Sequence, residues 1–174
     1  MLVYFAMQVL ISEEDIKARV AVMARDIARD HPDGVHLVCV LKGAFIFLAD
    51  LARNLPGTST FDFMAVSSYG TSTKSSGQVQ VLKDLDSAIE GRDVLIVEDI
   101  VDTGLTLTYL QDILRARSPR NLRTACLLSK PSRRKIEVDV EYVGFSIEDK
   151  FVVGYGLDYA GQYRNLPHIA VIGD

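Results

Sequence analysis

Two stretches of the sequence, VHLVCVL at 35–41 and DVLIVED at 93–99, place apolar side chains on consecutive positions rather than alternate ones. A strand with this pattern has to be buried on both faces. That requirement is met chiefly by a parallel sheet with helices packed on each side. The segments between and around these runs have helical period. Ser12 reads as an N-cap, with Glu13, Glu14 and Asp15 at the positive end of the helix dipole. Ile16, Val20, Met23, Ala24 and Ile27 then recur at helical spacing, so a helix is expected over roughly 13–30, ended by Pro32 and Gly34. A second helix is expected over 44–55, stopped at Pro56-Gly57, and a third from about 104 to 117.

Further strands are expected at 60–69, 78–85 and 122–129, with shorter ones at 140–147, 151–157 and 168–173. Strands alternating with helices give an α/β fold with a central, mostly parallel sheet flanked by helices. No repeat or linker divides the chain, so one domain over 1–174 is expected, with the two chain ends forming a small hood beside the sheet. GTSTKSSG (70–77) has nothing to bury and reads as a mobile loop.

Composition narrows the function. The formal net charge of −4 argues against a protein that grips nucleic acid by general attraction. Arg133, Arg134 and Lys135 form a short basic cluster that reads as a solvated turn. Cys39 and Cys126 lie in apolar runs without metal-type spacing, and read as small buried hydrophobes. The apolar N-terminus lacks a basic n-region and a cleavage site, and no apolar run spans a bilayer, so a reduced cytoplasmic setting without membrane attachment is expected.

In such sheets ligands bind beyond the carboxyl ends of the strands. The stretch DVLIVEDIVDTGLTL (93–107) is the richest of these ends. Its apolar strand meets Glu98 and Asp99, followed by Asp102, Thr103, Gly104, Leu105 and Thr106 at the start of a helix. Backbone N–H groups there make an anion site, which Gly104 leaves unobstructed and the two threonine hydroxyls extend. Two acids beside an anion site make sense if they face sugar hydroxyls or hold a Mg²⁺ that bridges to the anion. A ribose 5-phosphate meets both demands.

At this segment the chain resembles the phosphoribosyltransferase family, whose signature for phosphoribosyl pyrophosphate (PRPP) has the same order of residues. The resemblance covers nearly the whole chain and is closest to the hypoxanthine-guanine branch of the type I fold. It implies a pyrophosphate loop at Leu41, Lys42 and Gly43, with a cis peptide between the first two, and a pyrophosphate contact from Arg164. It implies a lid rooted at Ser68 and Tyr69, whose closure would exclude water. It implies a base site in which Lys130 donates to the 6-oxo group, Phe151 stacks, and the Val152 backbone and Asp158 complete the pocket. Mg²⁺ is implied at Glu98 and Asp99, with a second ion held through water by Asp158. Asp102 is implied as the general base. Leu105 stands where some relatives carry lysine, at a position that offers mainly its backbone. A homodimer or homotetramer is also implied. The activity expected is Mg²⁺-dependent transfer of phosphoribose from PRPP to hypoxanthine or guanine. The rivals are a phosphoribosyltransferase for xanthine or another base, and a regulator that senses PRPP or nucleotides on the same fold.

Overall fold

The computed structural model describes residues 7–68 and 79–173. The expected polar loop at 70–77 and Tyr69 lie outside the described residues. Element order is β1 (Met7–Ile11), α1 (Glu13–Asp30), β2 (His36–Leu41), α2 (Phe45–Asn54), β3 (Thr60–Ser68), β4 (Val79–Lys83), β5 (Asp93–Val101), α3 (Leu105–Arg115), β6 (Asn121–Ser129), β7 (Tyr142–Ser146), β8 (Val152–Val153) and β9 (Ile169–Ile172). A 3₁₀ turn at Pro131–Arg133 follows β6.

Six strands form one sheet in the order β4-β3-β2-β5-β6-β7. All neighbours are parallel except the β3–β4 pair. Each central strand divides its side chains between two cores. Leu37 and Cys39 join α1 and α2 in one cluster, whereas Val38 and Val40 join α3 in the other. Leu95 and Val97 against Val94 and Ile96 repeat the division one strand over. The continuous apolar runs are thus the trace of a sheet buried on both sides. Within the first core α1 contributes the five apolar positions that its period marked, all buried.

The remaining strands, β1, β9 and β8, form a separate antiparallel sheet that pairs residues 7–11 with 169–172. This is the hood expected from the chain ends. The stretch 151–157 supplies only two strand residues. Gly154, Tyr155 and Gly156 all have positive φ, which turns the backbone out of the strand.

The sheet order places the functional region. From β2 the chain runs outward through β3 and β4, then returns to β5 on the other side of β2. The carboxyl ends of β2 and β5 therefore lie side by side, with Cys39 opposite Val97. This reversal of strand order opens a crevice where ligands bind in doubly wound sheets.

Candidate active site

Beyond β2, the peptide between Leu41 and Lys42 is cis. Lys42 is exposed and Gly43 is buried. A Cβ on Gly43 would stand 1.6 Å from the Asp99 Oδ2, so the residue has to be glycine for the acid of β5 to sit against this loop. Gly156, at φ +103, closes the other side: its own missing Cβ would meet the Gly43 carbonyl oxygen at 2.1 Å. Arg164 donates to the Gly156 carbonyl oxygen at 2.6 Å and pairs with Asp158 at 2.9 Å. Leu41–Gly43, Asp99, Asp158 and Arg164 are thereby gathered from four parts of the chain.

The two acids lie inside β5, which runs two residues beyond the expected end at 99. Glu98 pairs in register with Cys126, and the ladder continues to Val101 opposite Ser129. Glu98 is buried and Asp99 half-buried. Burial, reinforced by the neighbouring Asp99 charge, pushes the Glu98 carboxyl well above its ordinary value. Burial also raises Asp99, against the opposing pull of its own hydrogen bonds and of the Arg164 charge. Two acids held close in low dielectric, at a cost to the fold, are a mark of function rather than of packing.

From Val101 the chain turns into α3 through Gly104, at φ +88 in the left-handed region. No side chain caps this helix and no acid lies in its first turn. The Leu105 N–H makes a long 3.4 Å bond to Thr103 Oγ1, and the helix dipole favours an anion at this end. A cleft of about 90 Å³ adjoins this end, lined by Glu98, Ile100–Gly104, Thr106 and Leu107. Gly104 has a further reason to be glycine, since a Cβ would press on the Ile136 carbonyl oxygen at 2.8 Å.

Ile136 belongs to the segment after β6, which grips the loop from below. Lys130 N–H donates to the Val101 carbonyl oxygen (3.0 Å) and Lys135 N–H to that of Thr103 (2.9 Å). The Arg134 guanidinium donates to the carbonyl oxygens of Val101 and Asp102 and to Ser129 Oγ. Arg133 Nε meets Asp102 Oδ1 at 3.0 Å. The basic cluster lies on an exposed turn, as expected, but Arg133 and Arg134 also brace the loop, through carbonyl and carboxylate partners across the fold that local pattern does not show. Lys130 is buried, with Asp149 3.6 Å from its Nζ. Phe151, by contrast, is 55 % exposed and outside the core, edge-on to Tyr159 at 5.8 Å.

A family model described as the phosphoribosyl transferase domain matches residues 11–160. The chain belongs to this family. Among relatives, it is 50 % identical over 166 residues to the hypoxanthine-guanine phosphoribosyltransferase of Bacillus subtilis, covering 95 % of this chain and 92 % of that one. It is 49 % identical over 168 residues to the hypoxanthine phosphoribosyltransferase of Escherichia coli, covering 95 % and 94 %. A crystal structure of a hypoxanthine-guanine phosphoribosyltransferase from Bacillus anthracis superposes with a TM-score of 0.91 at 47 % identity, covering 95 % of this chain and 98 % of that one.

In this phosphoribosyltransferase fold the residues singled out from sequence fall into two groups that flank the β2/β5 crevice. Leu41, Lys42, Gly43, Asp99, Asp158 and Arg164 form one. Asp102, Thr103, Gly104, Leu105 and Thr106 with Lys130 form the other, and Glu98 lines the cleft of the second. Val152 is buried in the hood beside exposed Phe151. Ser68 ends β3 opposite Val79, and Tyr69 lies outside the described residues. Among the described residues no three His, Cys, Asp or Glu side chains form a metal cluster. A divalent ion at Glu98–Asp99 or at Asp158 would take its other ligands from substrate and water, as Mg²⁺ commonly does.

Proposed function

We propose that the chain transfers the 5-phosphoribosyl group from PRPP to N9 of hypoxanthine or guanine, a purine salvage reaction yielding IMP or GMP and pyrophosphate. The observation that carries this reading is the pairing, at one crevice, of a helix start without an N-cap side chain with two acids, Glu98 buried and Asp99 half-buried. An anion site alone would not keep acids beside it, and acids alone would not need the open helix end. The identity to relatives named for this activity supports the choice of base.

The 5′-phosphate sits on the N–H groups of Thr103–Thr106 and the threonine hydroxyls. Glu98 and Asp99 receive the ribose hydroxyls, and the backbone at Lys42–Gly43 receives the pyrophosphate. Arg164, held by Asp158 and Gly156, offsets charge on that leaving group. Phe151 stacks on the purine, and Lys130 donates to its 6-oxo oxygen. The bond from ribose C1 to pyrophosphate breaks ahead of bond formation to N9, through an oxocarbenium-like state. Asp102 accepts the N7 proton as N9 attacks. Mg²⁺, carried by Glu98, Asp99 and Asp158 with water and substrate, would neutralise pyrophosphate charge. The assembly expected is a homodimer or homotetramer of single-domain subunits, acting in the cytoplasm.

The deciding experiment is an ultraviolet assay with PRPP, Mg²⁺ and each of guanine, hypoxanthine, xanthine and adenine. Turnover of guanine or hypoxanthine with adenine inert supports the reading. Turnover of xanthine alone moves the substrate, and nucleotide binding without turnover moves the protein to a regulator. Asp102→Asn should lower kcat by about 10²–10⁴-fold with PRPP binding spared, and Lys130→Ala should weaken the base while leaving PRPP near normal.

The raised carboxyls give a second handle. A carboxyl whose pKa is higher in the folded chain destabilises the fold when ionised, so its contribution is best at low pH and is lost as pH rises through the folded value. Glu98→Gln should therefore raise the ligand-free melting temperature at pH 8 relative to pH 4, while weakening PRPP binding. Equal melting shifts at both pH values would remove Glu98 as a strained acid.

A further inference from the structure

A chain of alternating charges joins the two polar contacts that the proposed reaction makes with the base. Asp102 Oδ1 lies 3.0 Å from Arg133 Nε, Arg133 Nη1 lies 3.5 Å from Asp149 Oδ2, and Asp149 Oδ1 lies 3.6 Å from Lys130 Nζ. Lys130 and Arg133 stand at the two ends of the same short turn after β6, while Asp102 follows β5 and Asp149 precedes β8. The three outer side chains are 40–52 % exposed, against 9 % for Lys130. Ion pairs this exposed add little to the stability of a fold. Their arrangement is better explained by what lies between their ends.

We propose that Arg133 is a positioning residue for this reaction. It holds one oxygen of the Asp102 carboxylate, leaving the other for the base. Through Asp149 it ties that carboxylate to Lys130, so that a proton acceptor and a hydrogen-bond donor are kept at one spacing. The ligand edge that fits has a donor and an acceptor side by side: N7–H and O6 of a 6-oxopurine, which lie on the same edge of the ring. A 6-aminopurine offers a donor at both positions and meets Lys130 with the wrong sign. The inference rests on the reading of Asp102 as proton acceptor, and adds to it the residue that aims the carboxylate. When a stacked base excludes water, the same ion pairs gain strength from the lower dielectric.

The test is steady-state kinetics on the full chain for Arg133→Gln, Arg133→Lys, Asp102→Asn and the Arg133→Gln/Asp102→Asn double variant, with melting temperatures alongside. Arg133→Gln should lower kcat roughly tenfold, more than a free-standing surface pair and less than an ångström of misplacement would. Its KM for PRPP should stay within about twofold, and Arg133→Lys should recover part of the loss. In the Asp102→Asn background the Arg133→Gln change should have no further effect, because an action through Asp102 vanishes with it. A loss of the same size in that background would make Arg133 merely structural and overturn the proposal, as would wild-type kcat in Arg133→Gln. The two failures are separable. Full turnover in Asp102→Asn sinks the proton-acceptor reading and the proposal with it, whereas an impaired Asp102→Asn beside an unaffected Arg133→Gln sinks the proposal alone.

Discussion

The helices α1 and α3 begin in opposite ways. At α1, Ser12 Oγ accepts from the Asp15 N–H at 3.1 Å, and three acids fill the first turn. At α3, a left-handed glycine replaces the cap, and the first turn, Leu-Thr-Leu-Thr, has no acid. The α1 end is satisfied by its own chain and serves the fold. The α3 end has no such cap, only a long 3.4 Å bond from the Leu105 N–H to Thr103 Oγ1, and serves a ligand. The acids near α3 are there, but within the preceding strand, Glu98 buried and Asp99 half-buried, rather than in the first turn of the helix. Helix α2 follows the α3 pattern, with Ala44 as its N-cap, no side-chain cap bond and no first-turn acid. Both helices that leave the crevice are uncapped, and the one that does not is capped.

Substitutions that exchange these properties test the contrast. The largest effect is expected from Gly104→Ala, which forces a side chain into the left-handed region at a cost of about 1–3 kcal/mol and against Ile136. PRPP or inorganic phosphate binding, followed by calorimetry, should weaken roughly 5- to 150-fold, the same energy expressed as affinity. Retained affinity would mean the loop does not depend on that backbone. Next comes Ser12→Ala, which should cost about 1 kcal/mol. Its readout is a melting temperature lower by about 2–4 °C, with unchanged kcat; a change in turnover would join α1 to the site. The smallest change is Leu105→Glu at an exposed position, which gives α3 the acid that α1 has. The helix should gain about 0.3–1 kcal/mol, while PRPP affinity falls through repulsion of the 5′-phosphate. A variant that gained both stability and affinity would contradict the contrast.

Much of this was readable before the fold was known, and the readable part has a common physical basis. The five buried positions of α1 lie at helical spacing, and the two-sided burial of β2 and β5 is written as unbroken apolar runs. The loop at Asp102–Thr106 could be read because an anion site is built from backbone and so needs a local, ordered signature. What was missed depends on partners distant in sequence. β5 continues to Val101 because its ladder partner β6 supplies the bonds, although the acids interrupt the apolar signal. Arg134 reaches Val101 and Asp102 more than thirty residues back, and a basic triplet gives no hint of that. The end of β8 after two residues reflects positive φ at Tyr155 as well as at the glycines beside it, and a tyrosine carries no such signal.

The split of the central strands between two cores has one more result. Cys39 faces one core and Cys126 the other, both wholly buried, and burial pushes each thiol up to about 12. At neutral pH both therefore stay as thiols, away from the reactive thiolate form. These are the only two cysteines of the chain, so the native surface is silent toward maleimide. A single Leu82→Cys on β4, where the leucine is 65 % exposed, would then take one fluorophore at one place, and the enzyme could be tagged for spectroscopy without first removing its own sulfur.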